Sequence, residues 1–477
     1  MTECTSSGKV IDPPGEARHP SEAGDLSDLL RRYYRNQTIH QRILDFLQGA
    51  EYIVGNDGFS DLGESSTISC LPQFLESGLE LDRSLWDHQA LIADIDLEYH
   101  NFDYPAAAWL DPDKAFKLQQ PVLDAALHIL GESGVAPMTL VSGRGFHLVW
   151  AVSRKSRAFR RLAGLGRVPS SLEARYAQPC SPGGSNVEPD LGRAFAGLGL
   201  LLEFVGHRVL RASEHRCLLP VQPTAIEVGP GIGGREIVSF DLSEYGDPLH
   251  TRHIRIPFSA YLKPKQLEWE LGEDEVRRLL PIFEIPLSDM SPAKAIAAMR
   301  DPDAVLEVAR SVSVRIPDQS EAMEQLLDHY EQSELARFHN QFYRQLEQQV
   351  TSSADLALPC VRFVLDHPND WLLKPAALQH VVRVLTALGW SPSAIARRIC
   401  HSYFQDCNWG DTWERLDPCN RAIFYTRLFA GMIATGLDKL IDFNCVSHQE
   451  KGYCMIPECS SNLIWYRDML LGRRKHR

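Results

Sequence analysis

A short apolar run that leads into two alternating aspartates constrains this chain more than any other feature. In HQALIADIDLEYH, residues 88–100, three apolar residues are followed by Asp94 and Asp96, with one isoleucine between them. Side chains i and i+2 of a strand point to the same face, so both carboxylates are predicted to project together from the end of a strand. Two neighbouring carboxylates repel each other unless a cation lies between them, and Mg²⁺ prefers oxygen ligands of this kind. The alternative is a solvated pair at a strand exit.

A second strand-like segment, LVSGRGFHLVW at residues 140–150, has polar side chains in its middle: Ser142, Arg144 and His147. The two glycines among them predict a bend in the strand, or a close approach of the backbone to a ligand. A helical segment lies between this strand and the aspartates. The resulting strand–helix–strand unit is expected to bring all five polar side chains to one sheet edge.

A third segment, IVSFDLSEYGDPLHTRHIRIPFSAYLKP at residues 237–264, is predicted to be a strand that ends in Asp241. It is followed by the cations Arg252, His253, Arg255 and Lys263. Three carboxylates for metal ions, with Arg, His and Lys for phosphate oxygens, are the groups that two-metal phosphoryl transfer requires. Asp247 is an alternative to Asp241 as the third carboxylate.

In this order, ADID, SGRGFH and FDLSEYGD…RHIRIPFSAYLK resemble the three motifs of the archaeo-eukaryotic primase superfamily. The resemblance covers about residues 85–270 and implies a primase-polymerase catalytic domain, with a central mixed sheet and flanking helices. It implies that Mg²⁺ or Mn²⁺ is held by three catalytic residues: Asp94, Asp96 and Asp241. It further implies nucleotide-binding or template-contacting roles for six residues: Ser142, Arg144, His147, Arg255, Ser259 and Lys263.

The chain departs from the family pattern at two points. The second motif often has a doubled arginine, where this chain has Gly-Arg-Gly. The zinc knuckle of some small subunits also has no counterpart, because Cys70, Cys180 and Cys217 are too widely spaced to form one. These three are predicted to be ordinary thiols.

The cysteines are concentrated near the end of the chain, where seven of the eleven follow residue 350. The tightest group is CVSHQEKGYCMIPEC, residues 445–459. Clustered cysteines in a cytosolic protein suggest a metal. Zinc sites usually contain C-x₂₋₄-C pairs, whereas iron–sulfur clusters tolerate more varied spacings. Cys400, Cys407 and Cys419 are expected to be small core residues, although one of them could replace a ligand.

A second resemblance covers about residues 355–465. The segments LPCVRFVL and LQHVVRVLTALGWSPSAIARRI, with the late cysteine triplet, are similar to the C-terminal domain of the primase large subunit. The similarity implies a mostly helical domain with a [4Fe–4S] cluster, zinc being the alternative, held by four ligands: Cys360, Cys445, Cys454 and Cys459. It also suggests that His380 and Arg383 contact template or primer.

The length of 477 residues exceeds that of one typical core, so several domains are expected. The predicted division of this α+β chain is a disordered tail at 1–25, the catalytic domain at 26–275, a helical linker region at 276–345 and the helical iron–sulfur domain at 346–477. No apolar run reaches the roughly 18 residues of a membrane span. The N-terminus lacks the layout of a signal peptide. A cytoplasmic protein without a membrane partner is therefore predicted, with thiols or metal ligands rather than disulfides.

The formal net charge of -13 excludes a basic surface over the whole molecule, but not local patches that contact phosphates. Three basic stretches lie at 31–35, 154–167 and 472–477, and each taken alone is predicted to be a solvated face. Together they suggest contact with a single strand, because two carry aromatic residues beside the cations, as in proteins that bind single strands. The expected partners are single-stranded DNA and NTPs or dNTPs, and a helicase or other replication partner would fit the same role.

The two resemblances together predict a fused primase that synthesises primers de novo on single-stranded DNA by two-metal phosphoryl transfer. One alternative is a polymerase that extends primers in gap filling or translesion synthesis. A nucleotide-sugar glycosyltransferase, which can also carry a DxD pair, fits the late cysteines poorly. The remaining alternative is a non-catalytic iron–sulfur protein that binds nucleic acid.

Overall fold

The computed structural model describes residues 24–60, 63–229, 234–348, 358–366, 374–403, 415–454 and 459–475. Nearly all of the predicted tail at 1–25 lies outside the described residues, as does Cys407. The described chain contains two β-sheets with flanking helices, followed by a helical C-terminal region. This confirms the predicted α+β class with a central mixed sheet. No helix among the described residues has both the length and the apolar character needed to cross a membrane.

The strands form two separate sheets. In chain order they are β1 (Ile53–Asn56), β2 (Glu64–Ser66), β3 (Glu80–Ser84), β4 (Ala90–Asn101), β5 (Met138–Val141), β6 (Gly145–Ser153), β7 (Val221–Gln222), β8 (Glu236–Asp241), β9 (His253–Arg255) and β10 (Ile285–Pro286). The larger sheet has the order β10-β5-β6-β4-β8-β7, and the smaller has the order β2-β1-β3-β9. In the larger sheet β7 and β8 are parallel, whereas its other pairs are antiparallel.

The helices surround these sheets and continue to the end of the chain. Up to residue 213 they are α1 (Gly24–Tyr34), α2 (Gln37–Leu47), α3 (Leu71–Ser77), α4 (Ala107–Leu110), α5 (Pro112–Gly131), α6 (Arg157–Leu165), α7 (Ser170–Tyr176) and α8 (Pro189–Ser213). The later ones are α9 (Glu268–Leu271), α10 (Glu273–Leu279), α11 (Pro292–Ala298), α12 (Pro302–Ser311), α13 (Ser320–Glu331), α14 (Glu334–Glu347), α15 (Pro359–Asp366), α16 (Pro375–Ala387), α17 (Pro392–Tyr403), α18 (Pro418–Ala434), α19 (Cys445–Glu450) and α20 (Leu463–Lys475).

The alternation of residues along β4 determines which face of the larger sheet carries polar groups. The apolar side chains of Leu91, Ile95 and Leu97 are fully buried on the face against which α5 and α8 pack. On this face Phe146 of β6 meets Phe116 of α5 edge-on, with ring centroids 5.1 Å apart. Because successive side chains point to opposite faces, residues 94, 96 and 98 lie on the other face.

The structure corrects two expectations about these strands. The segment 140–150 is not one bent strand: β5 and β6 form a hairpin, with residues 142–144 as the connection. The aspartates do not lie at a strand end, because β4 continues to Asn101 and occupies the interior of the sheet between β6 and β8. Their side chains therefore line a sheet face rather than an edge.

The region 276–345 packs directly on the larger sheet and its helices. It contributes β10, which pairs with β5 at the sheet edge. Helix α13 contacts both β6 and α6, and the indole N–H of Trp150 lies 3.3 Å from the sulfur of Met323. The division into domains stays a prediction, but this region has extensive contacts with the catalytic sheet.

The aromatic residues of the basic stretches do not have the exposure that contact with a single strand requires. Tyr33 and Tyr34 are buried, and their hydroxyls donate to the carbonyls of Phe258 and Leu79 at 3.0 and 2.8 Å. Phe159 in the second stretch is also buried. These rings belong to the hydrophobic core and cannot stack on nucleic-acid bases in this structure.

One cysteine pair also differs from prediction. Cys400 of α17 and Cys419 of α18 form a disulfide, because these two adjacent helices bring their Cα atoms to 5.0 Å. The sequence predicts both to be small core residues, with either a possible replacement for a metal ligand. The pairing removes both residues from the alternative ligands for a metal.

Candidate active site

Carboxylates and a histidine form a row across three neighbouring strands of the larger sheet. Asp96 of β4 is the register partner of His147 on β6 and of Asp241 on β8. Residues directly opposite in neighbouring strands share a face, so these three side chains lie side by side. Asp94 lies two residues along β4 on the same face. The structure thus brings together the three acidic residues that the sequence singled out.

His147 is held between the two aspartates of β4. Its Nδ1 lies 3.3 Å from Asp94 Oδ2, and its Nε2 lies 4.0 Å from Asp96 Oδ1. Burial lowers the pKa of His147, but the charges of Asp96 and Asp94 outweigh burial and raise it well above its ordinary value. A cationic imidazole in this position can donate to an anionic ligand.

The glycines of the hairpin allow close packing between protein segments. A Cβ atom on Gly145 would lie 1.8 Å from the carbonyl oxygen of Leu97, and one on Gly143 would lie 2.4 Å from the ring of Tyr261. Glycine is therefore required at both positions by neighbouring protein atoms. Ser142 lies in the same connection, where its N–H donates to Gly145 O at 2.9 Å and its side chain is buried.

Asp241 is the last residue of β8, and its Oδ1 accepts a hydrogen bond from Ser243 N–H at 2.7 Å. Burial raises the pKa of Asp241, and hydrogen bonds from Ser243 partly oppose this. The alternative carboxylate, Asp247, is instead paired with Arg252 at 3.2 Å and Arg421 at 2.9 Å. Its charge is balanced by two arginines, so Asp241 is the better candidate for a cation ligand.

Glu98 is a fourth carboxylate on this face that the sequence analysis did not select. Arg144 donates to both of its oxygens, at 2.8 and 2.7 Å. Burial raises the pKa of Glu98, but Arg144 and Lys263 outweigh burial and hold it well below its ordinary value. The signal was present in the sequence, since Asp94, Asp96 and Glu98 continue the same i, i+2 alternation.

Three further predicted contact residues lie beside this face. Arg255 is buried, ion-paired with Glu80, and lies 4.5 Å above the ring of Tyr261. Ser259 is fully buried, and its hydroxyl accepts from Leu81 N–H at 2.7 Å, so this oxygen already has a structural role. Lys263 is half-buried and forms no hydrogen bond or ion pair with any residue in the described ranges, which leaves its ammonium available for a ligand.

Glu284, next to β10, was also missed. It is fully buried, and neither of its carboxylate oxygens has a hydrogen-bond partner among the described residues. Burial raises its pKa to about 7, while His147 and Arg255 oppose this. No local pattern marks this residue, because it is placed by the pairing of β10 with the distant β5 and by backbone hydrogen bonds with Phe258 and Ser259.

Two buried oxygens in the carboxylate row have unused hydrogen-bonding capacity. Asp94 Oδ1 and Asp96 Oδ1 accept no hydrogen bond from any described residue. Burial, followed by the charge of Glu98, raises the pKa of Asp96 well above its ordinary value. A divalent cation would satisfy both oxygens, so the donor set fits Mg²⁺ or Mn²⁺.

The four cysteines that the sequence grouped together line one small cavity. These are Cys360, Cys445, Cys454 and Cys459. Burial, reinforced by the three other cysteines, raises the pKa of Cys360 to about 12. A cavity surrounded by four thiols is a suitable donor set for an iron–sulfur cluster or zinc.

His380 lies against this cysteine cavity, whereas Arg383 lines a separate cavity together with Asp438 and Ile441. His380 Nε2 is 3.2 Å from Cys360 Sγ, and Arg383 donates to both oxygens of Asp438 at 2.8 and 2.6 Å. Both side chains are buried. Their predicted contact with template or primer stays a prediction, and in this structure neither side chain is exposed for it.

At neither location are the ligands already arranged around a metal ion. Throughout the described ranges, no three His, Cys, Asp or Glu side chains form a group that could hold one as they stand. Binding at the carboxylate row or at the cysteine cavity would therefore require side-chain movement.

Comparisons with known proteins do not assign the chain to a family. No family model matches the chain, and no curated protein matches its sequence. Among solved structures, the polymerase domain of ligase D from Mycobacterium tuberculosis, in complex with DNA, aligns at 13% identity with a TM-score of 0.32. The alignment covers 66% of this chain and 92% of that domain. Similarity at this level identifies neither a shared fold nor a shared activity.

Proposed function

We propose that this chain is a DNA-templated nucleotidyltransferase that synthesises primers de novo on single-stranded DNA. The observation that carries the proposal is the row of Asp96, His147 and Asp241 across three strands, with Asp94 beside it. Asp94 and Asp96 each have a buried oxygen that accepts no hydrogen bond from any residue the structure describes. Ordinary surface carboxylates are solvated, so this arrangement favours a bound cation over a structural role.

Asp94, Asp96 and Asp241 would hold Mg²⁺ or Mn²⁺, which activates the attacking hydroxyl and neutralises charge on the transferred phosphate. His147 is fixed by Asp94 and would donate from its imidazolium to a phosphate oxygen. Lys263 supplies an ammonium without an ion-pair partner in the described ranges, suited to the triphosphate. Glu98 holds the guanidinium of Arg144 in a fixed orientation, from which it could exchange to a phosphate.

The cysteine cavity supports the second part of the proposal, a [4Fe–4S] cluster held by Cys360, Cys445, Cys454 and Cys459, with zinc as the alternative. Thiols must deprotonate to bind a metal, and without one burial keeps Cys360 protonated, because its pKa is raised to about 12. A bound cluster would therefore consolidate the C-terminal helices. His380, 3.2 Å from Cys360, would lie beside it.

A primer-synthesis assay tests the catalytic proposal. Unprimed single-stranded DNA is incubated with Mg²⁺ or Mn²⁺ and with NTPs or dNTPs supplied separately, using protein purified without oxygen. Wild type is expected to form primers, and Asp94→Asn and Asp96→Asn are each expected to lose about 100-fold or more. The matched control is Asp124→Asn, because Asp124 is an exposed aspartate of α5 whose carboxylate accepts a hydrogen bond from Gln120 at 2.7 Å.

The same assay separates the alternatives. Extension of an annealed primer without synthesis on unprimed template would favour a gap-filling or translesion polymerase. Absence of both activities, with single-strand binding retained, would favour a non-catalytic nucleic-acid-binding protein. Equal activity of Asp94→Asn and wild type would refute the assignment of the carboxylate row.

A further inference from the structure

The segment that follows Asp241 connects the carboxylate row to the C-terminal helices. We call residues 242–252 the β8 loop; it contains two short 3₁₀ turns, Ser243–Gly246 and Leu249–Thr251. One side of this loop contacts β4, and the other contacts the beginning of α18, 174 residues later in the chain. A segment with contacts on both sides can transmit the position of one element to the other.

On the site side, Tyr245 binds the backbone of a candidate metal ligand. Its hydroxyl donates to Asp94 O at 2.8 Å, and Asp94 N–H lies 3.2 Å from the same hydroxyl oxygen. Tyr245 is buried, and Ser243 in the same turn donates its N–H to Asp241. The first turn of the β8 loop thus holds the backbone of Asp94 and the side chain of Asp241 together.

On the other side, the first two turns of α18 hold the β8 loop through three different contacts. Asn420 Nδ2 donates to Gly246 O at 2.8 Å, and Arg421 Nη1 lies 2.9 Å from Asp247 Oδ1. The ring of Phe424 covers Gly246 so closely that a Cβ there would lie 2.7 Å from it. These contacts fix the two residues that immediately follow Tyr245.

Within the β8 loop, Arg252 links the residue that pairs with α18 to the turn that contains Tyr245. It lies 3.2 Å from Asp247, the partner of Arg421, and 3.0 Å from Glu244, the neighbour of Tyr245. Arg421, Asp247, Arg252 and Glu244 therefore form a continuous chain of alternating charges. Their side chains are mostly buried, where such pairs have fixed geometry.

We propose that Arg421 and Tyr245 are positioning residues that, through the β8 loop, set the placement of Asp94 relative to Asp241. In this view the C-terminal helices complete the carboxylate site instead of acting as an independent module. The inference rests on the proposed function, since it concerns the same three carboxylates. It goes further by assigning a role in that site to a residue that lies far from it in sequence.

Helix α18 offers a matched control for this inference. Arg427 lies on the same helix and is also ion-paired to the sheet-bearing half of the molecule, but its partner is Glu203 of α8, at 2.9 Å. Replacing Arg427 removes its ion pair with Glu203 and its contact with the ring of Phe424, 5.2 Å away, but leaves the hydrogen bond of Asn420 and the ion pair of Arg421 with the β8 loop in place. A positioning role predicts different results for the two arginines, whereas a general docking effect predicts the same result.

The experiment measures Mn²⁺ binding by electron paramagnetic resonance, beside the activity assay, in wild type, Arg421→Ala, Arg421→Lys, Tyr245→Phe and Arg427→Ala. Residues that orient metal ligands typically change metal affinity by about 10–100-fold. We expect at least tenfold weaker Mn²⁺ binding in Arg421→Ala and Tyr245→Phe, partial recovery in Arg421→Lys, and less than about twofold change in Arg427→Ala. Arg421 and Tyr245 act through one loop, so the loss of Mn²⁺ affinity in the double variant Arg421→Ala/Tyr245→Phe is expected to be smaller than the product of the two single losses.

Two results would overturn the inference: wild-type Mn²⁺ affinity in Arg421→Ala and Tyr245→Phe, or an equal loss in Arg427→Ala. Tyr245→Phe removes only a hydroxyl, so it keeps the test valid if Arg421→Ala does not fold. Failure of the proposed function would give a different result from failure of this inference, because Asp94→Asn would then bind Mn²⁺ as tightly as wild type does.

Discussion

Replacing Glu203 by glutamine is expected to destabilise the contact between α8 and the later helices. Glu203 is fully buried on α8, and it accepts hydrogen bonds from Arg427 of α18 at 2.9 Å and from His339 of α14 at 3.1 Å. Arg427 and His339 are buried as well. Glutamine keeps the size of the side chain but leaves the guanidinium without a counter-charge.

The size of the expected loss of stability follows from the pKa of Glu203. Burial alone raises the pKa of Glu203, but His339 and Arg427 outweigh burial and lower it from 4.5 to about 2. One pKa unit corresponds to about 1.4 kcal/mol, so burial and these partners together favour the ionised form in the folded state by about 3 kcal/mol. Because the folded pKa is lowered, this stabilisation is complete above about pH 4.5 and is lost as the pH falls towards 2. Breaking a buried ion pair from one side costs a similar amount, about 3–5 kcal/mol.

The assay is urea unfolding at pH 7.5, followed by circular dichroism and tryptophan fluorescence. The matched control is Glu132→Gln, since Glu132 also pairs with an arginine of α8, Arg208 at 2.7 Å, but is 36% exposed. Exposed ion pairs contribute about 0–1 kcal/mol. We expect a loss of about 3 kcal/mol for Glu203→Gln and less than about 1 kcal/mol for the control.

An equal, small loss in both variants would refute this reasoning. It would mean that the buried charge of Arg427 is compensated elsewhere, by water or by Tyr343, whose hydroxyl accepts from Arg427 Nη1 at 2.7 Å. The contact of α8 with α14 and α18 would then depend on apolar packing alone.

Three further outcomes are expected. Gly145→Ala should lower the free energy of unfolding by about 3 kcal/mol or more, because its Cβ would meet a backbone oxygen of β4 at 1.8 Å. Gly131→Ala is the control, because Gly131 has open space around it, and thermal unfolding compares the two variants. Burial lowers the pKa of His207 to about 4, so on acidification the unfolded state binds the proton before the folded state does. The free energy of unfolding should therefore fall by about 3 kcal/mol between pH 6.5 and pH 4, and urea unfolding of His207→Asn over this pH range should show a smaller decrease. Cys360→Ser, but not Cys70→Ser, should lose iron and acid-labile sulfide, as measured on protein purified without oxygen.

The candidate site could be predicted from sequence where its geometry depends on local alternation. Asp94, Asp96 and Glu98 share a face because the strand period is two, whatever the neighbouring strands are. Their neighbours could not be derived in this way. The register that places His147 and Asp241 beside Asp96 depends on pairing between strands that are about 50 and 145 residues apart in the sequence.

The hairpin at 142–144 shows the same limit. The connection Ser-Gly-Arg lacks the Asn-Gly or Asp-Gly pair that marks a two-residue turn, so the continuous apolar flanks predict one strand. What requires glycine at residue 145 is the carbonyl oxygen of Leu97, 48 residues earlier, and that contact has no local signature.

Composition misled the prediction at the basic stretches for a related reason. Arginines and tyrosines in RRYYR look suited to stack on and pair with a single strand, but α1 turns Tyr33 and Tyr34 towards the core. The tyrosine hydroxyls satisfy backbone carbonyls of Phe258 and Leu79 there. Which face of a helix packs inward is decided by what it packs against, and this information is distributed over the whole chain.

The choice between Asp241 and Asp247 depends on charge balance, which only the folded chain reveals. The sequence offers two aspartates six residues apart, and either could serve as the third carboxylate. Asp247 is paired with Arg252 and Arg421, so a cation placed there would have to compete with two guanidinium groups. Asp241 accepts a hydrogen bond from Ser243 and forms no ion pair with a cation in the described part of the chain, and it lies opposite Asp96, where added positive charge relieves repulsion. One aspartate is therefore suited to bind a cation, whereas the other holds the C-terminal helices against the loop that positions the first.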